Sequence, residues 1–103
     1  MRECAYKNCK NHSVDRLFKA ILSLQTVEEC YCFFEDACTI KEILDLAQRF
    51  DVACDLLEKK NYQQIAKDIG VSTATISRVN RAMQYGNQGY QMVIERLGNQ
   101  NHE

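Results

Sequence analysis

With 103 residues, no proline, four glycines and 26% charged side chains, the chain has room for one core and the composition of a helix-rich protein rather than a many-turned sheet. No apolar run approaches the roughly 18–20 residues that cross a bilayer, and the polar start Met1-Arg2-Glu3-Cys4 opens no secretory segment. The expectation is therefore a cytoplasmic protein with no membrane partner and six reduced cysteines. The net charge of −1 is unevenly divided: residues 1–58 carry seven Lys/Arg against eleven Asp/Glu, and residues 59–103 carry six against three, so a polyanion would be met by the C-terminal half.

Residues 1–12 read as an N-terminal extension, residues 13–98 as one helical domain and residues 99–103 as a tail. Ser13 is expected to cap a first helix in which Val14, Leu17, Phe18, Ile21 and Leu22 recur at i, i+3, i+4, i+7 and i+8, one buried stripe. Thr26 with Glu29 has the spacing of a capping box ahead of Val27, Cys30, Tyr31, Phe34 and Cys38. Thr39 with Glu42 repeats the device and opens a longer third helix, with Ile40, Ile43, Leu44, Ala47, Phe50, Cys54 and Leu57 on its inner side. Asn61 with Gln64 starts a short fourth helix to Ile69, and Gly70 supplies the left-handed exit. Ser72 caps a fifth helix running to about Tyr85. Gly86-Asn87-Gln88-Gly89 interrupts the pattern, and Tyr90, Val93, Ile94 and Leu97 stripe a sixth helix that Gly98 ends. Cys30 to Phe34 and Leu44 to Phe50 carry more apolar surface than one face buries, which points to a second copy of the chain as partner.

Function is concentrated in residues 62–81, where the pattern is that of a helix-turn-helix. Ile65 and Ile69 face inward from the first helix, and Ala66 is small so that the second can pass over it. Val71, Ile76 and Val79 plug the second helix onto the first. Ser72, Thr73, Ala74, Thr75, Ser77 and Arg78 are left toward solvent, a short, polar surface with a single charge. Such a surface can sink into a major groove, with hydroxyls on phosphates, a methyl on thymine and an arginine forked onto guanine. Lys59, Lys60, Lys67 and Arg81 are placed to anchor phosphates.

The sequence resembles the bacterial Trp-repressor-like proteins, and within them the YerC/YecD-type branch, from about Asp15 to Leu97. The resemblance is carried by Cys-Thr-Ile-Lys-Glu-Ile at 38–43, Ala-Gln-Arg-Phe at 47–50 and Ser-Thr-Ala-Thr-Ile-Ser-Arg at 72–78, followed by Gln84-Tyr85-Gly86-Asn87. It implies an all-α, six-helix, intertwined homodimer in which the first three helices and the last of each chain build a shared core from which two reading heads project. It also implies a roughly palindromic operator, with half-sites roughly 34–36 Å apart. In the tryptophan-responsive repressor two arginines hold the ligand's indole. By position these match Arg49 and Arg78, and Thr39 matches the rim of that pocket. Val79 stands where that repressor has a glycine and Ala82 where it has a serine. The branched Val79 side chain takes the ligand's room, so no cofactor is expected, and an effector of that pocket would be a different small molecule. Arg49 has an alternative partner in Asp45, Asp51 or Asp55.

Other constellations carry less. Cys4, Cys9 and His12, with Cys30 and Cys32 nearby, are donors suited to zinc, but the spacings are not those of paired knuckles. The plainer reading puts Cys30, Cys38 and Cys54 in helical core, with Cys4 and Cys9 at a frayed end. The only histidines, His12 and His102, lie near the chain ends with no activated nucleophile, so no enzyme is expected. Tyr31, Phe33, Phe34 and Phe50 read as dimer core. The expected function is a sequence-specific DNA-binding transcriptional regulator, a repressor by resemblance, acting on double-stranded DNA as a homodimer. The alternatives on the same scaffold are a protein-interaction adaptor and a metal- or thiol-gated regulator.

Overall fold

The computed structural model describes the backbone of residues 9–100 and side chains through Gly98; Cys4 and His102 lie outside the described residues. Among these there are six α-helices and no strand, and no helix is long and apolar enough to cross a membrane. The described residues fall into two units, 9–44 and 45–100, and the third helix runs through both.

In the first unit α1 (His12–Leu22) is capped by Asn11, whose side-chain oxygen accepts the Val14 N–H at 2.9 Å. The cap is thus two residues earlier than Ser13. Asparagine caps as well as serine, and the Lys10–Asp15 ion pair at 2.8 Å spans this start. Before α2 (Val27–Ala37) the Thr26 hydroxyl accepts the Glu29 N–H at 3.0 Å, and the Glu29 carboxylate accepts from Gln25, one residue short of a full box. Ahead of α3 (Ile40–Leu57) the box is reciprocal: Glu42 N–H to Thr39 Oγ1 at 3.0 Å and Thr39 N–H to Glu42 Oε1 at 2.9 Å.

The expected burial fails here. No residue of α1 or α2 is buried, Leu22 is 82% and Tyr31 62% exposed, and Cys30 is exposed rather than core. The stripes are genuine, since Phe33 and Phe34 meet edge to face with centroids 5.3 Å apart, but one chain does not cover them.

The second unit holds the core: Val52 and Ala53 of α3, Ile65 of α4 (Tyr62–Ile65), and Ile76, Val79 and Met83 of α5 (Thr73–Tyr85). Tyr90 and Ile94 of α6 (Gly89–Gln100) pack against it, as do Leu56, Ala66, Ile69 and Val71. The face of α3 that enters this core is not the expected one. Ile40, Leu44 and Leu57 are exposed, while Val52, Ala53 and Leu56 turn inward, about 150° around the helix from the expected stripe. Helix α3 is apolar on two sides, and of the expected stripe Ile40, Leu44 and Leu57 stay exposed in one chain while Ile43, Phe50 and Cys54 are half-buried, with the Phe50 ring 6.5 Å from that of Tyr90. Helix α6 also continues through Gly98 to Gln100, because an isolated glycine weakens a helix without ending it.

The end of α3 sets the start of the next helix. Lys60 N–H reaches Asp55 C=O at 3.2 Å and Lys59 N–H reaches Leu56 C=O at 3.0 Å, the two bonds of a Schellman motif, with Lys59 at φ +65°. The apolar contact that usually closes this motif is replaced by an ion pair from Lys60 to Asp55 at 3.3 Å. A side chain in the left-handed region costs roughly 1 kcal/mol. Lys59→Gly should therefore raise unfolding stability by about that amount, read as a higher urea midpoint at unchanged slope.

Candidate nucleic-acid interface

The helix-turn-helix starts at Asn61, whose side-chain oxygen accepts the Gln64 N–H at 2.8 Å. The helix expected to reach Ile69 is α-helical only through Ile65 and continues as a π turn, Ala66–Gly70. This wider turn ends at Gly70 with φ +81°, after which Val71 and Ser72 are extended. A Cβ on Gly70 would meet nothing within 4 Å, so glycine is needed there for its backbone angle and not for space.

Ser72 then caps α5. Its hydroxyl oxygen accepts the Thr75 N–H at 3.2 Å while its proton goes to Thr75 Oγ1, also at 3.2 Å. Around α5, Ile76, Val79 and Met83 occupy one side and are buried. Thr73, Ala74, Ser77, Arg78 and Arg81 are exposed and Thr75 is half-buried. Ala74, Arg78 and Arg81 lie opposite the buried row, within about 60° of one another. The result is a helix seated by three apolar side chains and presenting a small, hydroxyl-rich outer surface with two cations.

The cations differ in availability. Lys59, Lys67, Arg78 and Arg81 are exposed, and none of them forms an ion pair among the described residues. Lys60, expected as a phosphate anchor, is half-buried and held by Asp55 at 3.3 Å and Glu58 at 3.7 Å. The hydrogen bond to Asp55 and that carboxylate's charge raise the Lys60 ammonium above the ordinary lysine range. Its geometry is that of a helix clip.

The residues matched to an effector pocket are placed as follows. Thr39 is exposed and caps α3 in the first unit. Arg49 is half-buried on α3, on the side of Val52 and Leu56. It forms no ion pair among the described residues, contrary to the expected Asp45, Asp51 or Asp55, and the Asp55 carboxylate is taken by Lys60. Arg78 is exposed, and Val79 is 1% exposed, its side chain part of the core.

The described residues gather no group of three or more metal ligands. Cys9, Cys30, Cys32, Cys38 and Cys54 are free thiols, and burial, followed by the charges of Asp51, Asp55 and Glu58, pushes the Cys54 thiol up. One contact has no counterpart in the sequence pattern: the Gln91 amide of α6 donates to the Met83 carbonyl of α5 at 2.8 Å. A side chain bonding to main chain eight residues away leaves no periodic mark.

Comparison with known proteins places this geometry. The Trp repressor protein family model matches residues 12–98. The uncharacterised protein YerC of Bacillus subtilis (strain 168) is 51% identical over 88 residues, 85% of each chain. The crystal structure of a TrpR-like protein from Eubacterium eligens ATCC 27750 superposes with a TM-score of 0.84 at 60% identity, covering 86% of this chain and 92% of that one. A candidate Trp repressor from Staphylococcus aureus superposes with a TM-score of 0.86 at 43% identity, covering 93% and 96%.

Proposed function

The chain belongs to the Trp repressor family, and we propose that it is a sequence-specific DNA-binding transcriptional regulator that reads a roughly palindromic operator as a homodimer, without tryptophan. The observation that carries this reading is the outer surface of α5. After the left-handed turn at Gly70, Ser72 through Arg78 stands at the start of a helix whose other side is fixed in the core. Small side chains allow close approach to base edges, and backbone and hydroxyl donors at the helix start favour phosphate. Arg78 is the base-reading or phosphate-forking group, and Lys59, Lys67 and Arg81 are the anchors, while Lys60 holds the preceding helix end.

A second copy of the chain is the occupant proposed for the uncovered apolar side chains of each unit: Leu17, Phe18 and Leu22 of α1, Tyr31 of α2, and Ile40 and Leu44 of α3 in the first, and Val93 and Leu97 of α6 in the second. Exposed apolar residues on so many helices of one chain are the composition of an obligate interface. Independence from tryptophan rests on Val79, which fills interior space beside Ile76 and Met83. The reading helix is thereby seated by the chain's own side chain rather than by a bound indole.

The test is selection of bound duplexes from a random pool by the full-length protein, with and without added tryptophan. The reading expects a two-fold symmetric consensus whose half-sites are roughly one helical turn apart, the same with and without tryptophan. Recovery of unselected sequence from both arms would reject specific reading, and a consensus obtained only with tryptophan would reject independence.

A further inference from the structure

An α-helix ends with carbonyls that have no partner in its own backbone, and in α5 two of them are answered differently. Ala82 C=O accepts the Gly86 N–H at 2.8 Å in a turn so close that a Cβ on Gly86 would lie 2.5 Å from that oxygen. Met83 C=O, the next carbonyl and part of a residue whose side chain is in the core, accepts instead from Gln91 Nε2 at 2.8 Å, a bond from a different helix. Because the carbonyl can only accept, this contact fixes which end of the Gln91 amide is the nitrogen. The opposite end, Oε1, is buried and has no hydrogen-bond partner among the described residues. The fold thus bears an unpaired acceptor at Gln91 in order to make the donor bond.

The bond connects two helices with distinct duties. Helix α5 presents Ser72 through Arg78 on its outer side. Helix α6 packs Tyr90 and Ile94 on the core and leaves Val93 and Leu97 exposed, on the surface assigned above to the second copy. We propose that Gln91 is a positioning residue for DNA reading: by tying the last turn of α5 to α6, it sets the reading helix against the dimer frame, and so sets the separation of the two reading heads. This rests on the DNA-reading proposal above. Gln91 itself touches no nucleic acid. It acts through Met83, one turn beyond Val79, on the helix that carries the reading side chains.

The full-length protein is compared with Gln91→Met, which keeps length and removes the donor, and Gln91→Lys, which keeps a donor and removes the orphaned acceptor. The probe is the duplex selected by the wild type, with half-site spacing changed by one base pair in either direction, read by fluorescence anisotropy at 25 °C. Circular dichroism verifies folding at that temperature. Gln91→Met is expected to bind the original spacing about 5- to 150-fold more weakly, the size of one neutral hydrogen bond lost in each head. It should also flatten the spacing preference while leaving binding to random duplex and its salt slope unchanged. Gln91→Lys is expected to restore affinity and spacing preference to within about 3-fold of the wild type. Should Gln91→Met fail to fold, Gln91→Leu also lacks the donor, adds no charge and carries the same expectation. A folded donorless variant with wild-type affinity and spacing preference overturns this inference alone, as does a lysine variant no better than the methionine one. A wild type that selects no duplex overturns the DNA-reading proposal and this inference together.

Discussion

Truncating Ile76 to alanine is expected to lower the unfolding free energy by about 2–5 kcal/mol, the range for an isoleucine cut back in a well-packed interior. Ile76 is fully buried where α3, α4 and α5 meet, so the cavity opens beneath the reading helix itself. For a domain whose whole stability is about 5–15 kcal/mol, that is a large part of the total. The measurement is urea unfolding at one fixed protein concentration, because the apparent stability of a chain that pairs as proposed depends on concentration. The neighbouring exposed Ser77→Ala is the control and should change stability by no more than about 0.5 kcal/mol. Loss at Ile76 without loss at Ser77 is what a helix with one seated side requires, and equal effects would contradict the assigned orientation.

Arg78→Ala has the opposite signature. Its guanidinium is exposed and has no ion-pair partner among the described residues, so the fold should barely notice its removal. Affinity for the selected duplex should fall by about 1–3 kcal/mol for each head that loses the contact, and a symmetric dimer loses it twice. The specificity profile then separates two roles. Relaxed selection at one position in each half-site identifies a base contact, whereas a uniform loss with a shallower salt slope identifies a phosphate contact. An Arg78→Ala protein that is folded and binds as tightly as the wild type would remove Arg78 from the interface.

The reading unit was legible in the sequence because its constraints are local. Gly70 is demanded by one backbone angle, Ser72 by one cap, and Ile65, Ile76 and Val79 by the crossing of adjacent helices, and each shows in spacing within 18 residues. The caps at Thr26, Thr39 and Asn61 were legible for the same reason. The inward face of α3 was not, because Val52, Ala53 and Leu56 form a second stripe on a helix apolar on two sides, and periodicity does not say which stripe meets which partner. The ion pair of Lys60 with Asp55 was not legible, because it depends on how α3 terminates, and that rests on the left-handed backbone at Lys59, a residue with no sequence preference for it. The stripes of α1 and α2 were legible as apolar, and they are not buried within one chain. Sequence registers that a surface seeks cover, and the coordinates of one chain show that the cover is not supplied within it.

Family membership fixes the scaffold, and the chemistry of DNA recognition then depends on whether the unpaired cations of the C-terminal half act together on phosphates. Measuring the affinity of the wild-type protein for its selected duplex between 50 and 200 mM salt tests this most directly. Lys59, Lys67 and Arg81 from each of two heads would release roughly six counterions, so affinity should fall by about 10³-fold or more across that range, linearly on logarithmic axes. An affinity that stays level over the same salt range would contradict the account.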